Sequence, residues 1–163
     1  MAVYKVLLSK EVTCRVLFFS SFLMDRSQFD KWVFLVNALG VVYDPKTKMI
    51  LIGRRENDPH LSTLTRCFPW WSPAYKEDIE YYLKAEIKQK TWLSTNVETI
   101  VFAKTYPEKR EFLSIYYLCT IIGGEAKAAD SFVEIKWIKP SEVAKYFTTS
   151  LHPNVLAYLK ILE

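Results

Sequence analysis

Residues 68–93 read FPWWSPAYKEDIEYYLKAEIKQKTWL, and this stretch decides the fold. A proline-bearing turn opens it. Apolar residues then recur at Ile79, Tyr82, Leu83 and Ile87, spacings of three and four that form one stripe of a helix predicted over residues 77–90. Asp78 and Glu80 near its start suit the positive end of the helix dipole, as Lys84, Lys88 and Lys90 near its end suit the negative one. Leu93 closes the segment with an apolar anchor.

Turn, acidic helix and apolar close together resemble the Nudix box, G-x5-E-x7-R-E-U-x-E-E-x-G-U, where U is a bulky aliphatic. Laid on that pattern without a gap, the first Gly falls on Trp71 and the isolated Glu on Glu77. The Arg-Glu pair falls on Ala85 and Glu86, and the aliphatic on Ile87. The paired carboxylates become Gln89 and Lys90, the last Gly becomes Trp92, and Leu93 fits. The resemblance implies a sheet sandwiched between helices, and an activity in which divalent cations held by carboxylates hydrolyse a diphosphate linked to a nucleoside.

Several positions depart from that chemistry. Magnesium wants oxygen ligands in near-octahedral array, so such a helix must present carboxylates one turn apart. Glu86 is retained, Gln89 offers a neutral carbonyl, and Lys90 puts an ammonium where the resemblance places a metal-binding acid. Two roles are open for Lys90: an ion pair with Glu86 one turn earlier, or a stand-in for the cation that holds a ligand phosphate. In the family a Gly-Gly turn lets the backbone close tightly, and a carbonyl there can ligate metal. Trp70 and Trp71 replace it. Their indoles either fill the vacated cleft and pack on the sheet, or form a stacking platform for a base or a peptide. Trp92 is expected to pack against the helix end.

Outside the box, Arg54 and Arg55 end a predicted strand where Nudix proteins often contact substrate. Adjacent strand residues alternate faces, so at most one of the two points into the cleft. A further family carboxylate often comes from a loop beyond the helix, with Glu108 and Glu111 as candidates beside Lys109 and Arg110. His60 and His152 are isolated and each adjoins a proline segment, which marks them as loop or capping residues.

Working outward, residues 32–43 form a long apolar run, ended by the turn Asp44-Pro45-Lys46-Thr47 and followed by a strand over 48–55. Residues 56–66 read as a loop. Strands are predicted over 97–106, 112–122 and 132–138, then a helix from Pro140 through 141–146 and another after His152-Pro153-Asn154. This order predicts an α+β fold, an α/β/α sandwich around a mixed sheet spanning residues 32–163. Residues 1–31 are read as an N-terminal β extension of the same domain, whose Phe18, Phe19 and Phe22 would favour a homodimer through edge strands.

Bulk composition agrees. The 163 residues are 50% hydrophobic and 25% charged, enough for one domain with a sizeable core. A net charge of +4 is compatible with a phosphate-bearing ligand without demanding one. Cys14, Cys67 and Cys119 lie far apart with no C-x-x-C pair, so neither zinc nor a disulfide framework is signalled. The apolar run 16–24 is too short to span a bilayer, and Lys5, Lys10, Glu11 and Arg15 interrupt any signal-peptide pattern, so a cytoplasmic protein is expected.

Two functional readings follow. In the first, the chain is a non-catalytic Nudix-fold module without a cofactor that binds a nucleotide, a nucleic-acid end or a protein, using Trp70, Trp71, Arg54, Arg55, Glu77, Gln89 and Lys90. In the second, a residual pyrophosphohydrolase uses Glu86 as base and a weakly held Mg²⁺.

Overall fold

A carboxylate organises the first reversal among the described residues. Asp44 accepts from the Lys46 backbone N–H at 2.9 Å and from the Thr47 hydroxyl at 2.8 Å. Strand β1 (Leu35–Asp44) thereby turns into β2 (Met49–Arg54), with Tyr43 opposite Ile50. The computed structural model describes residues 34–56, 65–74, 77–107 and 109–163, and Phe34–Glu163 form one compact unit. The expected β extension over residues 1–31 and its dimer contact, together with Trp32, His60 and Glu108, lie outside the described residues.

Two very short strands follow, β3 (Arg66–Cys67) on β2 and β4 (Trp70–Trp71) on β1, with Leu39 opposite Trp70. Helix α1 (Ile79–Thr91) leads into the long antiparallel hairpin β5 (Ser94–Tyr106) and β6 (Lys109–Gly123). Strand β6 returns parallel to β1, from Leu35 opposite Phe112 to Tyr43 opposite Thr120. Strand β7 (Glu134–Ile138) adds to β2, a 3-10 helix follows at Pro140–Lys145, and α2 (Pro153–Ile161) ends the fold. The path β3-β2-β1-β6-β5, with β4 and β7 beside it, makes one mixed sheet of 7 strands.

Alternation of side chains divides the core between the two faces of this sheet. Val41, Ile50, Ile52 and Tyr116 face Val143, Val155 and Leu159 of the 3-10 helix and α2. Their neighbours Val42, Leu51 and Tyr117 face Leu83 and Ile87 of α1. The expected sandwich is therefore the observed one, and β1 is apolar from Ala38 to Val42 because both its faces are covered. Gly40 sets the approach of α1: a Cβ there would stand 2.7 Å from the Ile87 Cδ1. Cys67 and Cys119 are buried in this core, and burial, with Glu98 and Glu80 adding to it, pushes the Cys119 thiol up to about 12.

Some boundaries differ from expectation. Asp78 caps α1 by accepting from the Tyr81 N–H at 2.7 Å, so Glu77 stands before the helix. The segment after Pro140 is 3-10, closed by Tyr146 N–H on the Val143 carbonyl, because the chain turns away after two tight turns. Phe132, expected in a strand, is a buried plug beside Gly53. Glu111, expected in a loop, lies within β6. Among the described residues no helix is long and apolar enough to cross a membrane.

Candidate functional site

Helix α1 and strand β4 bring three groups to one point. Glu86 and Lys90 share a helix face, and the Lys90 Nζ stands 2.9 Å from the Glu86 Oε2. The same ammonium donates to the backbone carbonyl of Trp70, which β4 holds by pairing with β1. Lys90 is only 8% exposed, so this cation is a built part of the interior rather than a surface charge. A buried ammonium needs charge-assisted partners, and Glu86 and the Trp70 carbonyl supply them.

The indole of Trp70 lies against two cations. The Arg55 guanidinium carbon is 5.1 Å from its ring centroid and the Lys90 Nζ is 5.4 Å from it. Trp71 turns to the other side of β4, stacks on Tyr82 at 5.4 Å with 15° between planes, and packs against the α1 side of the core. Both tryptophans are half-buried.

Gln89 and Lys90 also meet a residue that the sequence did not single out. Asp130 accepts from the Gln89 amide at 3.2 Å and has a left-handed φ of 54°. Burial works to raise its carboxyl, but the Ser131 backbone N–H, the Gln89 amide and the Lys90 charge outweigh that and hold it below the usual range. The only advance signal was turn chemistry, since Asp tolerates the left-handed region better than most side chains.

Arg54 and Arg55 part company, as strand alternation requires. Arg54 pairs through Nε with Glu134 at 2.9 Å and through Nη1 with Glu56, while Arg66 reaches Glu134 at 3.1 Å. Hydrogen bonds from Arg66 and then Arg54 draw the Glu134 carboxyl below its ordinary value. Arg54 therefore belongs to an ion-pair cluster across β2, β3 and β7 rather than to the Lys90 centre. Glu77 accepts from the Ala74 N–H at 2.7 Å and so braces the turn before α1. His152 caps α2, its Nδ1 accepting from the Asn154 N–H at 3.1 Å.

Trp92 departs from expectation. It ends α1 in the left-handed region, φ 63° and ψ 3°, and it is 56% exposed rather than packed against the helix end. Among the described residues, no three His, Cys, Asp or Glu side chains converge as a metal site would need.

No family sequence model and no curated protein sequence matches the chain. Its fold is similar to solved structures. A MutT protein from Methanosarcina mazei Go1 is 12% identical with a TM-score of 0.63, covering 82% of this chain and 95% of that one. A Nudix hydrolase from Nitrosomonas europaea is 9% identical with a TM-score of 0.64, covering 80% of this chain and 72% of that one. An Ap4A hydrolase of C. elegans, solved as a binary complex, is 15% identical with a TM-score of 0.60, covering 77% and 96%. At these identities the likeness establishes the fold, which is the Nudix fold.

Proposed function

We propose that this Nudix-fold chain is a binding module that does not hydrolyse diphosphates, and that Lys90 provides the positive charge which a divalent cation provides in the family. The observation that carries this reading is the position of the Lys90 ammonium. It contacts Glu86 at 2.9 Å and the Trp70 carbonyl, the two groups that the resemblance assigns to metal or its water.

Magnesium does not fit beside that ammonium. At about 4 Å and an effective dielectric of about 20, a divalent ion and a lysine repel by roughly 8 kcal/mol. Glu86 is already neutralised by the lysine, and Gln89 is turned to Asp130.

The ligand is a nucleotide, a nucleic-acid end or a protein. A phosphate-bearing ligand is supported by the Arg55 guanidinium, which lies against the half-buried Trp70 indole. The test is calorimetric titration with Mg²⁺ and Mn²⁺, together with turnover assays on ADP-ribose, NADH, nucleoside triphosphates and capped dinucleotides. No millimolar metal affinity and no product are expected. Metal-dependent turnover that Glu86→Gln abolishes would overturn the reading.

A further inference from the structure

The tryptophan at the end of α1 is in a conformation that glycine enters freely and a bulky side chain does not. Trp92 has φ 63° yet is 56% exposed, so its indole recovers little of that strain through burial. Strained backbone that persists without a packing reason points to a use for the side chain.

The surroundings hold a cation over this ring. The Lys127 N–H donates to the Thr91 carbonyl at 2.9 Å, and the Ala129 N–H to the Lys90 carbonyl at 3.0 Å. Gly124, at φ 95°, presses on the same helix end, where a Cβ would fall 2.5 Å from the Trp92 carbonyl oxygen. The loop is thus clamped to α1, and the Lys127 Nζ sits 4.9 Å from the indole centroid. Lys88, whose carbonyl accepts from the Trp92 N–H, is exposed one turn earlier. Glu125 and Asp130 are the acids of this loop, against Lys127 within it and Lys88 on the helix.

A preset indole with the Lys127 ammonium at its ring suits a ligand that has both a flat ring and a neighbouring anion. We infer that Trp92, Lys127 and Lys88 form a stacking site for an unpaired base of a single-stranded nucleic acid, with the lysines on its phosphates. Bases in a duplex present no free face to such a ring, so single strands are the ligand class. The site uses other side chains than the Lys90 centre and stands or falls separately from the reading of that centre.

The experiment is fluorescence anisotropy of labelled oligothymidylate and oligouridylate, each about 15 nucleotides long, titrated with the full chain. Wild type is expected to bind, more weakly as salt rises. Trp92→Gly is expected to weaken binding about tenfold or more, while raising the urea midpoint, because glycine relaxes the strained position. That opposite movement separates a lost contact from a damaged fold. Trp92→Phe should keep most of the affinity, and Lys127→Gln should lower the salt slope by about one. The inference is overturned by absence of binding up to roughly 100 μM, a weak value even for non-specific association, or by equal affinity of Trp92→Gly. It is equally overturned if sedimentation shows a wild-type dimer that Trp92→Gly dissociates, since the indole would then serve a contact between copies.

Discussion

Lys90 and Glu86 hold each other at 2.9 Å, with side chains 10% and 25% exposed, and the lysine also carries the carbonyl of Trp70. Helix α1 and strand β4 are therefore joined by a charge. Lys90→Met would leave a half-buried carboxylate unpaired and a carbonyl without its donor. A loss of about 1–3 kcal/mol is expected, below the value for a fully buried pair because water still reaches Glu86. Urea denaturation measures it, and Lys90→Met with Glu86→Gln should recover part of the loss. Additivity of the two single changes would show that the pair is not coupled.

Restoring the acids tests whether the family's frame is intact. Lys90→Glu, Gln89→Glu and Trp71→Gly together should create affinity for Mg²⁺ that calorimetry detects in the millimolar range. A triple variant that folds by circular dichroism yet ignores the metal would mean that the box has been laid on the wrong residues.

Two glycines at close approaches should differ in tolerance. At Gly53 a Cβ would stand 2.2 Å from the rigid Phe132 ring, whereas at Gly40 it meets the movable tip of Ile87 at 2.7 Å. Gly40→Ala is expected to lose about 1–3 kcal/mol through overpacking, and Gly53→Ala distinctly more. Thermal melts of both variants decide it, and an equal loss would contradict the difference in rigidity.

The cap of α2 should titrate. Burial first, then the nearby Lys104 charge, lowers the His152 pKa below its ordinary 6.5. Only neutral imidazole can accept from the Asn154 N–H, and its ring is stacked on Phe102 at 4.6 Å. The unfolded chain takes up the proton first, so stability is complete above 6.5 and declines as pH falls from there through the folded value. Melting temperatures between about pH 8 and pH 5 should show this decline in wild type. His152→Asn, which caps at any pH, should reduce the slope; an unchanged slope would remove His152 as its source.

The stripe Leu83–Ile87 and the turn at Asp44 were legible because local pattern and tertiary role coincide there. Strands β3 and β4 were not: each is two residues long and exists because β2 and β1 offer an edge, so no periodicity precedes it. Within the site, the ion pair of Lys90 with Glu86 could be read from helical spacing, but its bond to the Trp70 carbonyl could not, since it joins segments twenty residues apart. Asp130 was hidden for the same reason, as its partner Gln89 lies across a loop whose path no local signal fixes. The exposure of Trp92 was missed because a large apolar side chain at a helix end ordinarily packs.

The parallel register of β1 with β6, Leu35 against Phe112, has a consequence for biogenesis. The centre of the sheet cannot be completed from sequence neighbours, so a chain leaving the ribosome must wait for β6 before β1 is covered on both edges. Until then the β6 edge of β1 is open to pairing with other strands, and slow acquisition of structure is the cost of that topology.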